Sequence, residues 1–194
     1  VFRMLDEIAP VYAKTGFVRE PEGTGTVNAC PHGHFPTKDG KWVAIACTTE
    51  KMFLRLCQAM GEEGAELARA FGEQKKRLAG RDEVNKRVGD WTGAMDRDAL
   101  MVVCLEFEVP AGPINTIADI FDDPQFQARG DLTAVTLPGL GEVVVPSPLP
   151  KLSETPAQIT SLGPGLGEHN EDVYGRLLGL SAEQLGKLRK DGVI

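Results

Sequence analysis

The sequence predicts an α/β chain, and three observations carry that prediction. Apolar residues recur at helical spacing through the middle of the chain. A continuous apolar run, Trp42 to Cys47 (WVAIAC), precedes them, and two β-branched runs about a Pro-Gly turn follow from Asp131. With 194 residues, 42% hydrophobic and 25% charged, the chain has a globular composition and is long enough to bury a core.

The opening stretch VFRMLDEIAPVYAKTG is amphipathic, with no initiator Met and no N-cap ahead of it. Val1 is therefore expected inside a structural element, and the chain is expected to be part of a larger protein. Phe2, Leu5, Ile8 and Ala9 form the face expected to pack. Gly16 to Gly40 carries Gly, Pro and Thr without an apolar period and reads as one long loop, which is uncommon unless it is functional or links domains. Within it, Asp39-Gly40 signals a tight turn. Thr49 is placed to cap a helix in which Phe53, Leu56, Cys57 and Met60 share a face, and Gly61 ends it. Glu62 to Phe71 and Arg81 to Trp91 read as further helices, and from Asp96 the positions Leu100, Val103, Cys104 and Phe107 repeat the spacing. EVPAGPINT gives a short extended piece. A brief helix from Thr116 or Asp119 is expected to stop before Asp123-Pro124. The hairpin LTAVTLPGLGEVVVPSP follows, then Pro/Ser/Thr-rich coil from Pro148 to Pro164 that resembles a tether. The tail predicts two helices, Glu171 to Leu178 and Ser181 to Lys190, with Ser181 and Gln184 as a capping box.

Twenty-eight acidic against 21 basic residues give a net charge of −7, which works against nucleic acid as a partner. The clusters Lys75-Lys76-Arg77 and Lys187 to Lys190 read as solvated helix faces. No apolar stretch reaches the ~18 residues of a membrane span, and no signal peptide pattern opens the chain; no membrane partner and a cytoplasmic location are expected. Cys30, Cys47, Cys57 and Cys104 are widely spaced without a CxxC pair and are expected to be buried, reduced thiols.

The densest group of reactive and flexible residue types lies in EGTGTVNACPHGH: Gly23, Gly25 and Gly33 with Asn28, Cys30, His32 and His34. Glycines let backbone approach a ligand and expose N–H groups that hold an oxyanion; the competing reading is a flexible linker. His32 and His34 are expected on opposite sides of an extended segment with no second cluster to complete a site, so no metal is expected. His169, in GLGEHNED, is read as a hydrogen-bonded histidine fixing its loop, with Asn170 as a helix cap. No G-x-S-x-G elbow occurs, and residue types alone leave the reaction open.

Three separated segments, FPTKDGKWVAIACTTEKMFLRLCQAMG, VPAGPINTIADIFDDPQFQARG and GLGEHNEDVYGRLLGLSAEQLGKLRKDGVI, together resemble the C-terminal half of a family III CoA-transferase. That family includes the formyl-CoA, carnitine and bile-acid CoA-transferases and is related to the α-methylacyl-CoA racemases.

The resemblance implies an α/β polypeptide in two parts: a Rossmann-like large domain built from both ends of the full chain and a small domain inserted between them. Two such chains are expected to interlock. On that template residues 1–22 are the helix and linker leaving the large domain, 23–118 the small domain, and 119–194 the segment returning to the large domain. The activity implied is transfer of CoA from an acyl-CoA thioester to a free carboxylic acid through an aspartate expected upstream of Val1. No residue of this chain is therefore assigned catalysis, and Asp6, Asp39 and Asp119 are left without that role. CoA thioester is a substrate, and no permanently bound cofactor is implied. The partner is a second identical chain or a complementary N-terminal half. A glycine-rich lid over the active site maps onto Gly23, Gly25, Asn28, His32 and His34, but the four-glycine run of formyl-CoA transferase is absent, which argues against a formate/oxalate pair. Gly167, Glu168 and His169 match a recurring family segment and are expected to shape the pocket. The alternatives are a 2-methylacyl-CoA racemase or epimerase, and a non-catalytic fragment or subunit that binds a partner.

Overall fold

The computed structural model describes residues 5–137 and 139–194; Phe2 and Pro138, invoked above, lie outside them. The chain divides after Thr116 into two compact units, and the chain is α/β.

The first unit begins with α1 (Ile8–Thr15), which Gly16 ends in the left-handed conformation at φ 71°. The expected packing face is not buried: Leu5 is 41% exposed, Ala9 is exposed, and α1 contains no buried residue. The apolar side of α1 that meets other residues is instead Ile8 and Val11, which line a small pocket with Phe17 and Val27.

The long loop expected over Gly16 to Gly40 is interrupted by β1 (His32–Pro36). Sequence periodicity missed this strand because Gly33 and Pro36 dilute its apolar alternation. The loop Thr37–Lys41 returns the chain to β2 (Trp42–Ala46), with Gly40 at φ 74°. Asp39 is committed to that loop: it accepts from Thr37 Oγ1 at 2.6 Å and from the Arg97 N–H at 3.3 Å. β1 and β2 are antiparallel, pairing Phe35 with Val43, and β3 (Ala111–Ile114) pairs antiparallel with the other edge of β2. Since side chains alternate across a strand, His32 and His34 lie on the same face, opposite buried Gly33 and Phe35. This corrects the expectation of opposite sides.

Five helices connect β2 to β3: α2 (Glu50–Ala59), which Thr49 caps by accepting from the Met52 N–H, α3 (Glu62–Phe71), α4 (Gln74–Ala79), α5 (Arg81–Gly93) and α6 (Arg97–Glu106). α5 packs on β1 and α6 on β3. Thr92, fully buried, ties α5 to the sheet by donating to the Pro36 carbonyl at 2.9 Å. The core joins Phe35, Val43 and Ile45 of the sheet to Phe53, Leu56, Leu67, Val84, Val88 and Leu100 of the helices.

The second unit contains α7 (Ile117–Asp122), α8 (Pro124–Arg129), the hairpin β4 (Leu132–Leu137) and β5 (Gly141–Pro146), a π-helical segment (Glu171–Leu177) and α9 (Ala182–Lys190). The expected stop at Asp123-Pro124 is also a start: Asp123 accepts from the Gln125 and Phe126 N–H groups and Pro124 occupies the first turn of α8. The capping box of Ser181 and Gln184 is present. Among the described residues of this unit, Leu185 is the one buried hydrophobic side chain, while Leu140, Leu149, Leu166 and Leu177 are each more than 65% exposed.

Two predictions follow from the first unit's core. A Cβ on Gly64 would overlap the Cys57 carbonyl where α3 crosses α2. Gly64→Ala is therefore expected to lower the urea midpoint by the equivalent of about 2 kcal/mol, overpacking outweighing the helix propensity gained. The cysteines are free and buried; burial, aided by neighbouring thiols, pushes Cys47 up to about 12, and burial pushes Cys57 and Cys104 up to about 11. Thiols protonated in the folded chain but ionised in the unfolded one give stability that is full below pH ~8.5 and lost as pH rises toward the folded values. Urea midpoints should fall between pH 9 and pH 11, and less steeply in Cys47→Ala.

Candidate functional site

The loop between α1 and β1 contains Ala29, Cys30 and Pro31, all buried, yet most of its carbonyls have no strand beside them. A buried carbonyl left unpaired is costly, and here side chains from α4 and α5 supply the donors. Gln74 Nε2 donates to the Asn28 carbonyl at 2.8 Å, and Arg77 Nε to that of Cys30 at 3.0 Å. Arg81 donates through Nη1 to the Thr26 carbonyl at 2.8 Å and through Nη2 to that of Val27 at 3.1 Å. Gln74 and Arg77 are one turn apart on α4, and Arg81 is the first residue of α5, so the junction of the two helices gathers the three donors along the loop.

Arg77 is 1% exposed. Its Nη1 donates to the carbonyls of Phe71 and Gly72 at 3.1 and 2.6 Å, closing the C-terminal end of α3, and its guanidinium lies 4.5 Å from the centre of the Phe53 ring. Reading Lys75-Lys76-Arg77 as a solvated face holds for the exposed Lys75 and Lys76 and fails for Arg77. Successive residues of a helix project about 100° apart, so Arg77 points inward although Lys75 and Lys76, just before it, face solvent.

The tip of the loop turns back on the sheet. The Gly25 N–H donates to the Glu22 carbonyl at 3.0 Å across a turn that holds Gly23 at φ 62°, a conformation that favours glycine. Thr24 Oγ1 accepts from the His34 N–H at 3.1 Å. Arg81 Nη1 also meets Glu22 Oε2 at 2.8 Å. Between tip, strand and helix lies a cleft of about 170 Å³ lined by Glu22, Thr24, Gly25, His32, His34, Arg81 and Asn85. His32 Nδ1 is buried without a hydrogen-bond partner. Cys30 Sγ donates to Asn85 Oδ1 at 3.7 Å, and burial raises its pKa against the opposing charges of Arg81 and Arg77. A thiol held protonated is not an activated nucleophile. The cleft thus offers backbone, imidazole and amide groups with which to enclose a ligand.

Gly23, Gly25, His32 and His34 are brought together in this way. Asn28 is not: it lines the apolar pocket with Ile8, Val11 and Phe17, and its carbonyl faces Gln74. Among the described residues no group of three or more His, Cys, Asp or Glu is placed to hold a metal ion, and no helix is long and apolar enough to cross a membrane. Gly167, Glu168 and His169 belong to the second unit. Glu168 Oε2 accepts from the Gly165 N–H at 2.6 Å, Gly167 has φ 73°, and His169 is exposed. The expected cap at Asn170 is absent, since its side chain makes no capping bond; it lies against Gly167, 3.0 Å from where a Cβ would stand.

The first unit is thus a three-stranded antiparallel sheet covered by helices, with a glycine turn bound back on its edge, and sequence comparison supplies the family. Residues 1–170 match the model for CoA-transferase family III, and the chain belongs to that family. It is 53% identical over its whole length to the succinyl-CoA–L-malate CoA-transferase alpha subunit of Chloroflexus aurantiacus, of which it covers 45%. It is 47% identical to the beta subunit from that organism, covering 48%. A CAIB/BAIF family protein from Brucella suis superposes with a TM-score of 0.68 at 29% identity, over 90% of this chain and 45% of that one. The chain thus spans about half the length of these relatives.

Replacing Arg77 tests the anchor. Arg77→Leu leaves the carbonyls of Cys30, Phe71 and Gly72 without their donor, an expected loss of about 3–5 kcal/mol in urea unfolding. Arg77→Lys should recover only a minor part, because one ammonium cannot reproduce the fork.

Proposed function

We propose that the complete protein transfers CoA between an acyl-CoA thioester and a free carboxylic acid, with succinyl-CoA as donor and L-malate as acceptor. The observation that carries this reading is the 53% identity, across the whole chain, to a succinyl-CoA–L-malate CoA-transferase subunit. An aspartate upstream of Val1 attacks the thioester carbonyl, expelling CoA thiolate and forming a mixed anhydride. The thiolate attacks the aspartyl carbonyl, which releases the donor acid and leaves an aspartyl thioester. The acceptor carboxylate then displaces the thiolate to form a second anhydride. Attack of the thiolate on the acceptor's acyl carbon yields the new thioester and restores the aspartate. Covalent catalysis of this kind divides one difficult exchange into easier steps without a permanently bound cofactor.

Water is the competitor at each anhydride, so the site needs a cover. The turn at Gly23–Gly25, with His32 and His34 beside it, is proposed as that cover, and Gly167, Glu168 and His169 as pocket-shaping residues. Residues 1–22 are proposed to leave a Rossmann-like large domain, 23–118 to form the small domain and 119–194 to return to the large one. That Leu185 is the one buried apolar side chain among the described residues of the second unit supports this, because the exposed leucines there need a surface to cover them. That surface is proposed to come from a second, interlocked copy or a complementary N-terminal half. The chain alone is expected to lack turnover, and the enzyme to work in the cytoplasm.

The test is a CoA-exchange assay on the complete protein, with succinyl-CoA and L-malate, in deuterated buffer. Transfer without deuterium at the α carbon supports the reading, whereas deuterium uptake without transfer overturns it in favour of racemisation. Gly23→Ala forces an L-residue into positive φ, and a Cβ at Gly25 would stand 3.2 Å from the Glu22 carbonyl oxygen. Each change should raise thioester hydrolysis relative to transfer several-fold. Unchanged partitioning would remove the covering role.

A further inference from the structure

We infer that Arg81 is a positioning residue for the glycine turn, and that its ion pair with Glu22 sets how fully the turn closes over the reacting acyl group; this rests on the transferase reading above. One guanidinium holds both ends of the turn. Its Nη1 takes the Glu22 carboxylate at the entry, 2.8 Å away, and the Thr26 carbonyl at the exit, also at 2.8 Å, while Nη2 takes the Val27 carbonyl at 3.1 Å. The turn between them, Gly23 to Gly25, is thereby fixed to the first residue of α5. The position of a Cβ on Gly25 lies 3.9 Å from Arg81 Nη1, so the guanidinium packs directly against the turn.

Arg77 and Arg81 differ in a way that separates a fixed anchor from a releasable one. Arg77 is buried and bound to carbonyls of both the loop and α3. Arg81 and Glu22 keep 22% and 35% of their side-chain surface in solvent, so water can take over their partners when the turn lifts. A partly exposed ion pair contributes little to global stability, but such a contribution is enough to shift a local open–closed population several-fold. Beyond Arg81 the turn is held by Thr24 Oγ1, which accepts from the His34 N–H at 3.1 Å, and by Arg19 Nη2, which donates to Thr26 Oγ1 at 3.5 Å. Opening therefore requires release of Arg81 and of these two peripheral bonds, with the core undisturbed.

The test uses the complete protein and the variants Glu22→Gln, Arg81→Lys and Arg81→Ala. Amide hydrogen exchange is read at residues 23–28 and, as a control, in α2 and α5; the ratio of thioester hydrolysis to CoA transfer is measured in parallel. Glu22→Gln keeps both carbonyl bonds and should raise loop exchange and the hydrolysis ratio about five-fold with the control helices unchanged. Arg81→Ala should raise both further, and Arg81→Lys should fall between wild type and Arg81→Ala, because it restores the charge but not the two-pronged hold. Unchanged loop exchange in all three variants overturns the inference. So does faster loop exchange with unchanged partitioning, or a parallel rise in the control helices, which would mark a merely structural role. If the wild-type protein transfers no CoA, the transferase reading fails on its own, and loop exchange still decides whether Arg81 holds the turn.

Discussion

A loop that enters the core at Ala29 and Cys30 without a neighbouring strand must find hydrogen-bond donors for its carbonyls, and this requirement organises the first unit. The segment from Thr26 to Cys30 meets it with the side chains of Gln74, Arg77 and Arg81. Because Arg77 also closes the end of α3 and stacks on Phe53 in the core, the loop, two helices and the hydrophobic interior share one cation. The loop that forms one wall of the cleft is thus tied, through Arg77, to the edge of the core.

The two units differ in how they are stabilised. The first has sheet and helix side chains interdigitated around Phe53 and Leu56. The second relies on local devices: the Asp123 and Ser181 caps, the β4–β5 ladder, and Asp131 paired with both Arg129 and Lys151. Such devices fix secondary structure but bury little apolar surface, which is consistent with a segment whose apolar faces are meant for another part of a larger assembly.

What the sequence made legible is what periodicity and capping encode. α2, α3, α5, α6 and the β4–β5 hairpin follow from apolar spacing, and Thr49 and Ser181 start their helices as their chemistry predicts. β1 escaped because a strand containing two glycine or proline residues in HGHFP has too weak an alternation to stand out from the loop around it. α4 escaped because six residues cannot display a helical period. The glycines and histidines of the site were visible as residue types, but their anchors were not. Nothing local distinguishes Arg77 and Arg81 from solvated cations, since their partners are backbone carbonyls some fifty residues earlier. Family resemblance reached further than residue types could, and the match over residues 1–170 bears the family out.

The anchoring of the loop through its carbonyls has an evolutionary consequence. Every residue offers the same backbone carbonyl, so the side chains of Val27 and Asn28 are released from the task of holding the loop in place, while the Thr24 hydroxyl still ties the turn to His34. Substitution at those two positions can remodel the surface of the loop while the attachment to α4 and α5 persists. A lineage can therefore vary what this loop displays without rebuilding the frame that carries it.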